Sequence, residues 1–261
     1  MILIDGREVD VSRTYPDGTL LAHAPVTKGT GPRVITWKYE NDAELFALIC
    51  LRKHYALSDV ILDLQYIPHA RQDRVKDLGD IFTLKYFCEI INSLNFASVR
   101  VLDAHSNVSL ALLDRVHQYP VTPHINRALA LHDFGNTALF FPDEGAMKRY
   151  ADDFAHLPFA FGMKKRDWST GKILGLDIMQ AENIVGKDVL IIDDICSKGG
   201  TFYYSAKALL AAGAKSVSLY ITHCENTILK GEIFSSGLIQ KVYTTDSLAH
   251  CDEVKEKVIY V

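Results

Sequence analysis

The sequence has few of the features that mark secreted, membrane-spanning or zinc-binding proteins. Its five cysteines are widely spaced and form no Cys-x-x-Cys pair, so neither a disulfide framework nor a zinc site is expected. No apolar stretch approaches the roughly 18 residues of a membrane span. Residues 1–6 lack the basic flank and long apolar run of a signal peptide. We therefore expect a cytoplasmic protein that does not bind a membrane.

An excess of one charge is also missing. The chain has 28 basic and 32 acidic residues, a net charge of −4, and no block of five or more like charges. Because nucleic-acid-binding domains usually show a basic excess, we expect no nucleic-acid partner. At 48% hydrophobic and 23% charged residues, the composition is that of a globular protein, and 261 residues allow one large domain or two of modest size.

Apolar, β-branched runs alternate with segments of helical spacing along the whole chain. The runs that predict strands are residues 2–4, 8–11, 34–37, 60–64, 99–102, 138–141, 189–192, 217–221, 242–244 and 258–261. Between the first two runs, the dipeptide Asp5-Gly6 favours a type I′ turn and so predicts a β-hairpin. The segments that predict helices are 44–55, 81–94, 108–116, 144–154 and 201–212. This alternation predicts an α/β fold with mainly parallel sheets, whose ligands bind beyond the carboxyl ends of the strands.

A proline-rich break at residues 119–123 interrupts the alternation near the middle of the chain. We place a boundary there, between an N-terminal domain of residues 1–122 and a C-terminal domain of residues 123–261. We leave open whether the last predicted strand, residues 258–261, belongs to the C-terminal domain or returns to the N-terminal one. In each half one predicted strand ends in acidic or histidine side chains, namely Asp103 and His105 in the first and Asp193 and Asp194 in the second. These strand ends are the candidate sites.

The end of the 189–192 strand carries the most informative pattern. Two adjacent acids, Asp193 and Asp194, precede a short loop and a predicted helix; the loop residues are Ser197, Lys198, Gly199, Gly200 and Thr201. Carboxylates can accept hydrogen bonds from ribose hydroxyls, while backbone N–H groups at a helix start can bind a 5-phosphate. The alternative is a plain turn beside solvated acids. Adjacent carboxylates repel each other, which favours a polyhydroxyl or cationic partner.

This string resembles the phosphoribosyl-diphosphate loop of type I phosphoribosyltransferases and of ribose-phosphate pyrophosphokinases, the PRPP synthetases. The first half of the chain distinguishes the two families. Arg71, Gln72, Asp73 and Arg74 resemble the R-Q-D-R element of the pyrophosphokinases, which the transferases lack. The resemblance implies that Arg71, Gln72 and Asp73 bind ATP. A solvated loop with an internal Arg–Asp pair is the alternative.

Two further motifs imply a magnesium site. Asp103, Ala104 and His105 are similar to the family's D-L-H, in which the histidine helps to hold the magnesium of Mg-ATP. Pro142 and Asp143 resemble its P-D-x-G, which supplies a second magnesium-associated carboxylate. Magnesium prefers a few oxygen ligands completed by phosphate and water. Taken alone, His105 would be read as structural and Asp143 as the N-cap of a helix.

Two more motifs complete the resemblance. Lys164, Lys165 and Arg166 resemble the K-R-R of the family's mobile catalytic loop, so the resemblance implies catalytic roles for Lys164 and Arg166 beside His105. Tyr15 and Asp17 match the F-x-D-G-E element, whose aromatic ring stacks on the adenine of ATP bound by a neighbouring subunit. The alternatives are a basic surface and an ordinary turn. Shared active sites in the family imply a homo-oligomer, a dimer or a hexamer.

The resemblance implies a pyrophosphokinase with two phosphoribosyltransferase-like domains. It would transfer the β,γ-diphosphate of Mg-ATP to the anomeric 1-hydroxyl of ribose 5-phosphate, giving PRPP and AMP in nucleotide biosynthesis. Ser197 and Lys198 stand where the loop usually has an acid and a threonine, which makes it about two charges more positive at neutral pH. ADP-ribose, as in NAD salvage, is therefore an alternative acceptor. A non-catalytic regulatory relative is a second alternative.

Overall fold

The computed structural model describes residues 1–25, 31–56, 59–131, 136–166 and 173–261, and among these it leaves out the side chains of residues 164–166 and 173–175. Backbone contacts divide the chain into two compact units. The first unit is Met1–Pro120 with Ser247–Ala249, and the second is Val121–Asp246 with His250–Val261. Each unit contains one sheet flanked by helices.

The sheet of the first unit has the strand order β2-β1-β3-β4-β5-β6. Its strands are β1 Ile2–Ile4, β2 Arg7–Val9, β3 Arg33–Trp37, β4 Val60–Asp63, β5 Ser98–Leu102 and β6 Val116–Tyr119; its helices are α1 Ala43–His54, α2 Thr83–Ser93 and α3 Asn107–Leu112. Strands β3 to β6 are parallel. The carboxyl ends of β4 and β5 therefore lie at the same edge of the sheet.

The predicted N-terminal hairpin is confirmed. Asp5 and Gly6 both have positive φ, 50° and 77°, which is the backbone of a type I′ turn. This turn sets an antiparallel register that pairs Ile2 with Val9. The Asp5 carboxylate also accepts a hydrogen bond from the Val34 N–H (3.0 Å), which fixes the turn against the next strand.

The sheet of the second unit has the order β13-β12-β11-β10-β7-β8-β9, with only the β8–β9 pair antiparallel. The strands are β7 Thr137–Phe141, β8 Phe159–Arg166, β9 Ile173–Met179, β10 Asp188–Cys196, β11 Ser216–Cys224, β12 Val242–Thr244 and β13 Ile259–Tyr260. The helices are α4 Thr122–Leu131, α5 Glu144–Tyr150, α6 Gly200–Ala211 and α7 Asp252–Lys255. The last strand thus belongs to the second sheet and does not return to the first.

The centre of the second sheet is buried on both faces. All nine residues of β11 are buried. Ile191 of β10 packs in one apolar cluster with Phe202 of α6, and Leu190 packs in another with Ile125 of α4. Because apolar side chains pack on both faces of these strands, the polar side chains lie at the carboxyl ends of the strands. The predicted α/β class with mainly parallel sheets is confirmed.

Several elements differ from the sequence prediction. The helix predicted over 108–116 ends at Leu112, and residues from Val116 form strand β6. Helix α4 begins at Thr122, inside the proline-rich break, because a proline in the first helical turn loses no backbone hydrogen bond. Strands β8 and β9 were not predicted, because the basic residues that end β8 read as a loop. No helix in the described ranges is long and apolar enough to cross a membrane.

Candidate functional site

The two acids at the end of β10 have different surroundings. Asp194 is buried, and Arg149 of α5 pairs with it at 2.9 Å between Nη1 and Oδ2. The other Asp194 oxygen accepts a hydrogen bond from the Ile195 N–H at 2.9 Å. Asp193 is half-buried, and its Oδ1 accepts a hydrogen bond from the Asp194 N–H at 3.0 Å. Asp194 is therefore neutralised from within the unit.

The charge on Asp193 is disfavoured. Burial first, and then the adjacent Asp194 carboxylate, raise the pKa of Asp193 well above its ordinary value, with a smaller contribution from Asp143. A carboxyl group held towards its protonated form donates one hydrogen bond as well as accepting others. Such a group can therefore exchange hydrogen bonds with the hydroxyl groups of a ligand, which also donate and accept.

The loop after β10 leads directly into helix α6. Gly199 has φ +77°, and a Cβ placed there would lie 2.4 Å from Cγ1 of Ile233, so only glycine fits. Gly200 is the first residue of α6, is exposed, and would meet no atom within 4 Å of an added Cβ. Lys198 and Thr201 are also exposed. An anion can approach the N–H groups that begin this twelve-residue helix.

Sequence reasoning missed three residues that shape this edge. Glu225, which follows β11, accepts a hydrogen bond from Ser197 Oγ at 2.8 Å. Gly231 allows close approach, because a Cβ there would lie 1.8 Å from the Lys198 carbonyl oxygen. The third is Arg149. The β10–β11 pairing would have placed Glu225 near Ser197, whereas no local pattern marks Gly231 or Arg149, whose contacts are distant in sequence.

Asp143 lies at the start of α5. Its Oδ1 accepts a hydrogen bond from the Ala146 N–H at 3.1 Å, so it is the N-cap of the helix. Strands β7 and β10 pair in parallel, with Ile191 opposite Phe140, so Asp143 and the two acids of β10 lie at the same ends of neighbouring strands. The capping role and a place beside the acids of β10 are therefore compatible.

In the first unit, the R-Q-D-R element and His105 meet at the carboxyl ends of β4 and β5. Asp73 is buried and pairs with Arg74 at 2.8 Å between Oδ1 and Nε. The hydrogen bond from Arg74, and to a smaller extent the nearby His105, lower the pKa of Asp73. Gln72 is exposed and its Oε1 accepts a hydrogen bond from Thr83 Oγ1 at 2.8 Å.

The other residues of this edge differ in exposure. Arg71 is exposed, and His105 is half-buried. Asp103 is buried with φ 45°, a left-handed backbone that is uncommon for a residue with a side chain. Such strain is found most often where a loop is fixed for function.

Tyr15 and Asp17 form a turn in the first unit. Asp17 Oδ1 accepts hydrogen bonds from the N–H and Oγ1 of Thr19, at 3.0 and 2.7 Å, which lower the pKa of Asp17. Tyr15 is 53% exposed, so its ring is accessible for stacking. Asp17 thus shapes the turn that presents Tyr15.

The basic triplet is the least described part of the candidate site. The backbone of Lys164, Lys165 and Arg166 belongs to β8, where Lys164 pairs with Leu176 and Arg166 with Ile173 of β9. The resemblance to a mobile catalytic loop did not predict this strand backbone. Their side chains lie outside the described part of the chain, so their predicted catalytic roles stay predictions.

The described residues contain no group of three or more histidine, cysteine or acidic side chains arranged to hold a metal. His105 belongs to the first unit and Asp143 to the second. Donors in such small number do not suit a resident metal held by protein alone. A single carboxylate such as Asp143 fits magnesium that arrives with nucleotide phosphates, because magnesium prefers oxygen ligands and keeps phosphate and water.

Known proteins provide an independent comparison. No family model matches the chain. Ribose-phosphate pyrophosphokinase 2 of Archaeoglobus fulgidus is 29% identical over 244 residues, covering 91% of this chain and 84% of that protein. The ribose-phosphate pyrophosphokinase of Saccharolobus solfataricus is 28% identical over 232 residues, covering 81% and 75%. Over most of its length, the chain is similar to proteins named ribose-phosphate pyrophosphokinases.

The fold agrees with that relationship. The solved structure of phosphoribosylpyrophosphate synthetase from Mycobacterium smegmatis superposes with a TM-score of 0.78 at 16% identity, covering 95% of this chain and 84% of that one. The resemblance inferred from the motifs is thus confirmed. The relatives are named as pyrophosphokinases, in agreement with the expected enzyme class.

Proposed function

We propose that this protein is a ribose-phosphate pyrophosphokinase that transfers the β,γ-diphosphate of Mg-ATP to the anomeric 1-hydroxyl of ribose 5-phosphate. The products are PRPP and AMP. The observation that carries this proposal is the end of β10, where Asp193 and Asp194 precede a loop and an accessible helix N-terminus. The names of the relatives support the same activity.

The second unit binds the acceptor in this proposal. Asp193, whose pKa is raised, exchanges hydrogen bonds with ribose hydroxyls, while Asp194 is held in place by Arg149. The 5-phosphate binds the N–H groups at the start of α6, with Lys198 and Thr201 adding a charge and a hydroxyl. This division matches the two chemical halves of ribose 5-phosphate.

The first unit binds ATP in this proposal. Asp73 is buried and fixed by Arg74, which holds the element in shape. Arg71 and Gln72, both exposed, are then presented to phosphate oxygens and to the nucleotide. Tyr15 offers an exposed ring for stacking on a base, in the same subunit or a neighbouring one.

Magnesium is the expected cofactor; in the first unit His105 would help to hold the magnesium of Mg-ATP, and in the second unit Asp143 would be a further magnesium-associated carboxylate. When bound with ATP, the ion neutralises charge on the phosphate oxygens. The sugar 1-hydroxyl attacks the β-phosphorus of ATP and loses its proton to solvent, while the bond between the β-phosphorus and the oxygen that bridges it to the α-phosphorus breaks and AMP leaves. Lys164 and Arg166 stabilise the charge on the transferring group. Positioning and electrostatics supply most of the acceleration.

The test is to incubate the protein with Mg-ATP and either ribose 5-phosphate or ADP-ribose, and to separate the nucleotides by chromatography. We expect AMP and PRPP to form in equal amounts, and only when ribose 5-phosphate is the acceptor. AMP with ADP-ribose alone would support the alternative acceptor, which the exposed Lys198 favours. ADP as the nucleotide product, or no product with either acceptor, would contradict the proposal, and the second result would favour a non-catalytic relative.

A further inference from the structure

Glu225 and Ser197 leave two neighbouring strands side by side. Cys196 and Cys224 are the last residues of β10 and β11, and they pair in parallel register. The Glu225 N–H donates to the Cys196 carbonyl oxygen at 2.9 Å, which continues the pairing by one residue. The base of the loop is therefore attached to Glu225 through the backbone.

Two hydroxyl groups hold the Glu225 carboxylate. Ser197 Oγ and Thr227 Oγ1 both donate to Oε2, at 2.8 and 2.9 Å. An ionised carboxylate only accepts, so the proton of each hydroxyl is directed towards Glu225. Hydrogen bonds to a charged acceptor are about twice as strong as neutral ones, which favours this arrangement over free rotation of the hydroxyls.

This arrangement decides what Ser197 can offer a ligand. A serine hydroxyl has one proton, and here that proton is used by Glu225. The oxygen can still accept a hydrogen bond from a sugar hydroxyl. With its proton used, the Ser197 hydroxyl cannot donate to a phosphate oxygen. An unprotonated phosphate oxygen, in turn, has no proton to donate to Ser197. Ser197 therefore suits the sugar, and the phosphate is left to the start of α6.

We propose that Glu225 is a positioning residue that holds Ser197 as a hydrogen-bond acceptor for a ribose hydroxyl of the acceptor substrate. This inference deepens the proposed function and rests on it. The group that contacts the sugar is Ser197, and Glu225 acts through it.

The test compares Glu225→Ala and Ser197→Ala with Thr227→Val as the matched control. Ser197→Ala and Thr227→Val each remove one hydrogen bond to the same carboxylate oxygen, whereas Glu225→Ala removes both; Thr227 is outside the loop. We expect the KM for ribose 5-phosphate to rise about tenfold in the first two variants, and the KM for Mg-ATP to change by less than about twofold. Thr227→Val should leave both constants near wild type.

Two further variants separate positioning from a purely structural role. Glu225→Gln keeps the size and an acceptor oxygen, so it should restore most of the affinity for ribose 5-phosphate. The double variant of Glu225→Ala and Ser197→Ala should be no worse than either single change, because both remove one interaction. Additive losses, a wild-type KM in Glu225→Ala, or an equal loss in Thr227→Val would overturn the proposal.

Failure of the proposed function gives a different result. An active wild type with unaffected variants contradicts only the role of Glu225. If wild type is inactive with ribose 5-phosphate, the acceptor assignment is wrong. The same variants are then compared by calorimetric titration with ADP-ribose, which also carries ribose hydroxyls. Equal affinity in wild type and Glu225→Ala, or no binding by either, would overturn the role of Glu225.

Discussion

The carboxyl-terminal edges of the two sheets are built differently. In the second unit, the polar side chains of the edge are joined to one another, as Asp194 is to Arg149 and Ser197 is to Glu225. In the first unit, the buried acids Asp73 and Asp103 lie beside Arg71 and Gln72, which are exposed. A preorganised edge suits a small sugar phosphate that must be oriented. The exposed edge suits the flexible phosphate chain of a nucleotide.

The largest effect is expected at the basic end of β8 in the second unit, where Lys164 and Arg166 are proposed to stabilise the transferring group. Lys164→Ala and Arg166→Ala should each lower turnover by about 100-fold or more, if these cations stabilise the transferring group. Lys165→Ala removes the same charge from the neighbouring position and is the matched control. Equal, small losses in all three variants, measured as AMP release at saturating substrates, would show that the triplet has no catalytic role.

The rigidity of the loop is tested by two adjacent glycines. Gly199→Ala places a Cβ against Ile233 and keeps a residue at φ +77°, so it should lower the free energy of unfolding by about 2–3 kcal/mol. Gly200→Ala meets open space and should leave stability within about 0.5 kcal/mol of wild type. Denaturant unfolding measures both. Equal losses would mean that Gly199 is not the constrained position.

The two acids of β10 are expected to affect stability in opposite directions. Asp194→Asn removes the negative charge that pairs with Arg149 and should cost about 2 kcal/mol, since the arginine is partly exposed. The pKa of Asp193 is raised in the folded protein and is about 3.9 in the unfolded chain. The free energy of unfolding of the wild type therefore falls as the pH rises from about 3.9 to the folded-state pKa. Asp193→Asn removes that loss.

The measurement is the free energy of unfolding of both variants and of wild type at pH 4 and pH 7. Asp193→Asn should be more stable than wild type at pH 7, should approach it at pH 4, and should still have lower activity. A loss of stability at pH 7 in Asp193→Asn, equal to that of Asp194→Asn, would mean that the two acids share one structural role.

The smallest effect is expected in the exposed edge of the first unit. Arg71→Ala should raise the KM for Mg-ATP about tenfold through loss of a phosphate contact. Because Arg71 is exposed, Tm should change little. The KM for ribose 5-phosphate should stay near wild type, which is the control within the same assay. A rise in that constant instead would place Arg71 with the acceptor.

The sequence was sufficient for features determined by neighbouring residues. The Asp5-Gly6 turn, the buried strands and the glycine hinge before α6 all depend on local backbone preference or apolar runs. Arg149 and Glu225 could not be found in this way, since their partners, Asp194 and Ser197, are 45 and 28 positions away. Helix α4 was missed because its proline was read as a break.

The most direct test of the account is a crystal structure of the protein soaked with ribose 5-phosphate. The account predicts the sugar hydroxyls beside Asp193 and the phosphate at the N–H groups of Gly200 and Thr201. Density for ribose 5-phosphate elsewhere, such as against Arg71, with the end of β10 empty, would contradict it.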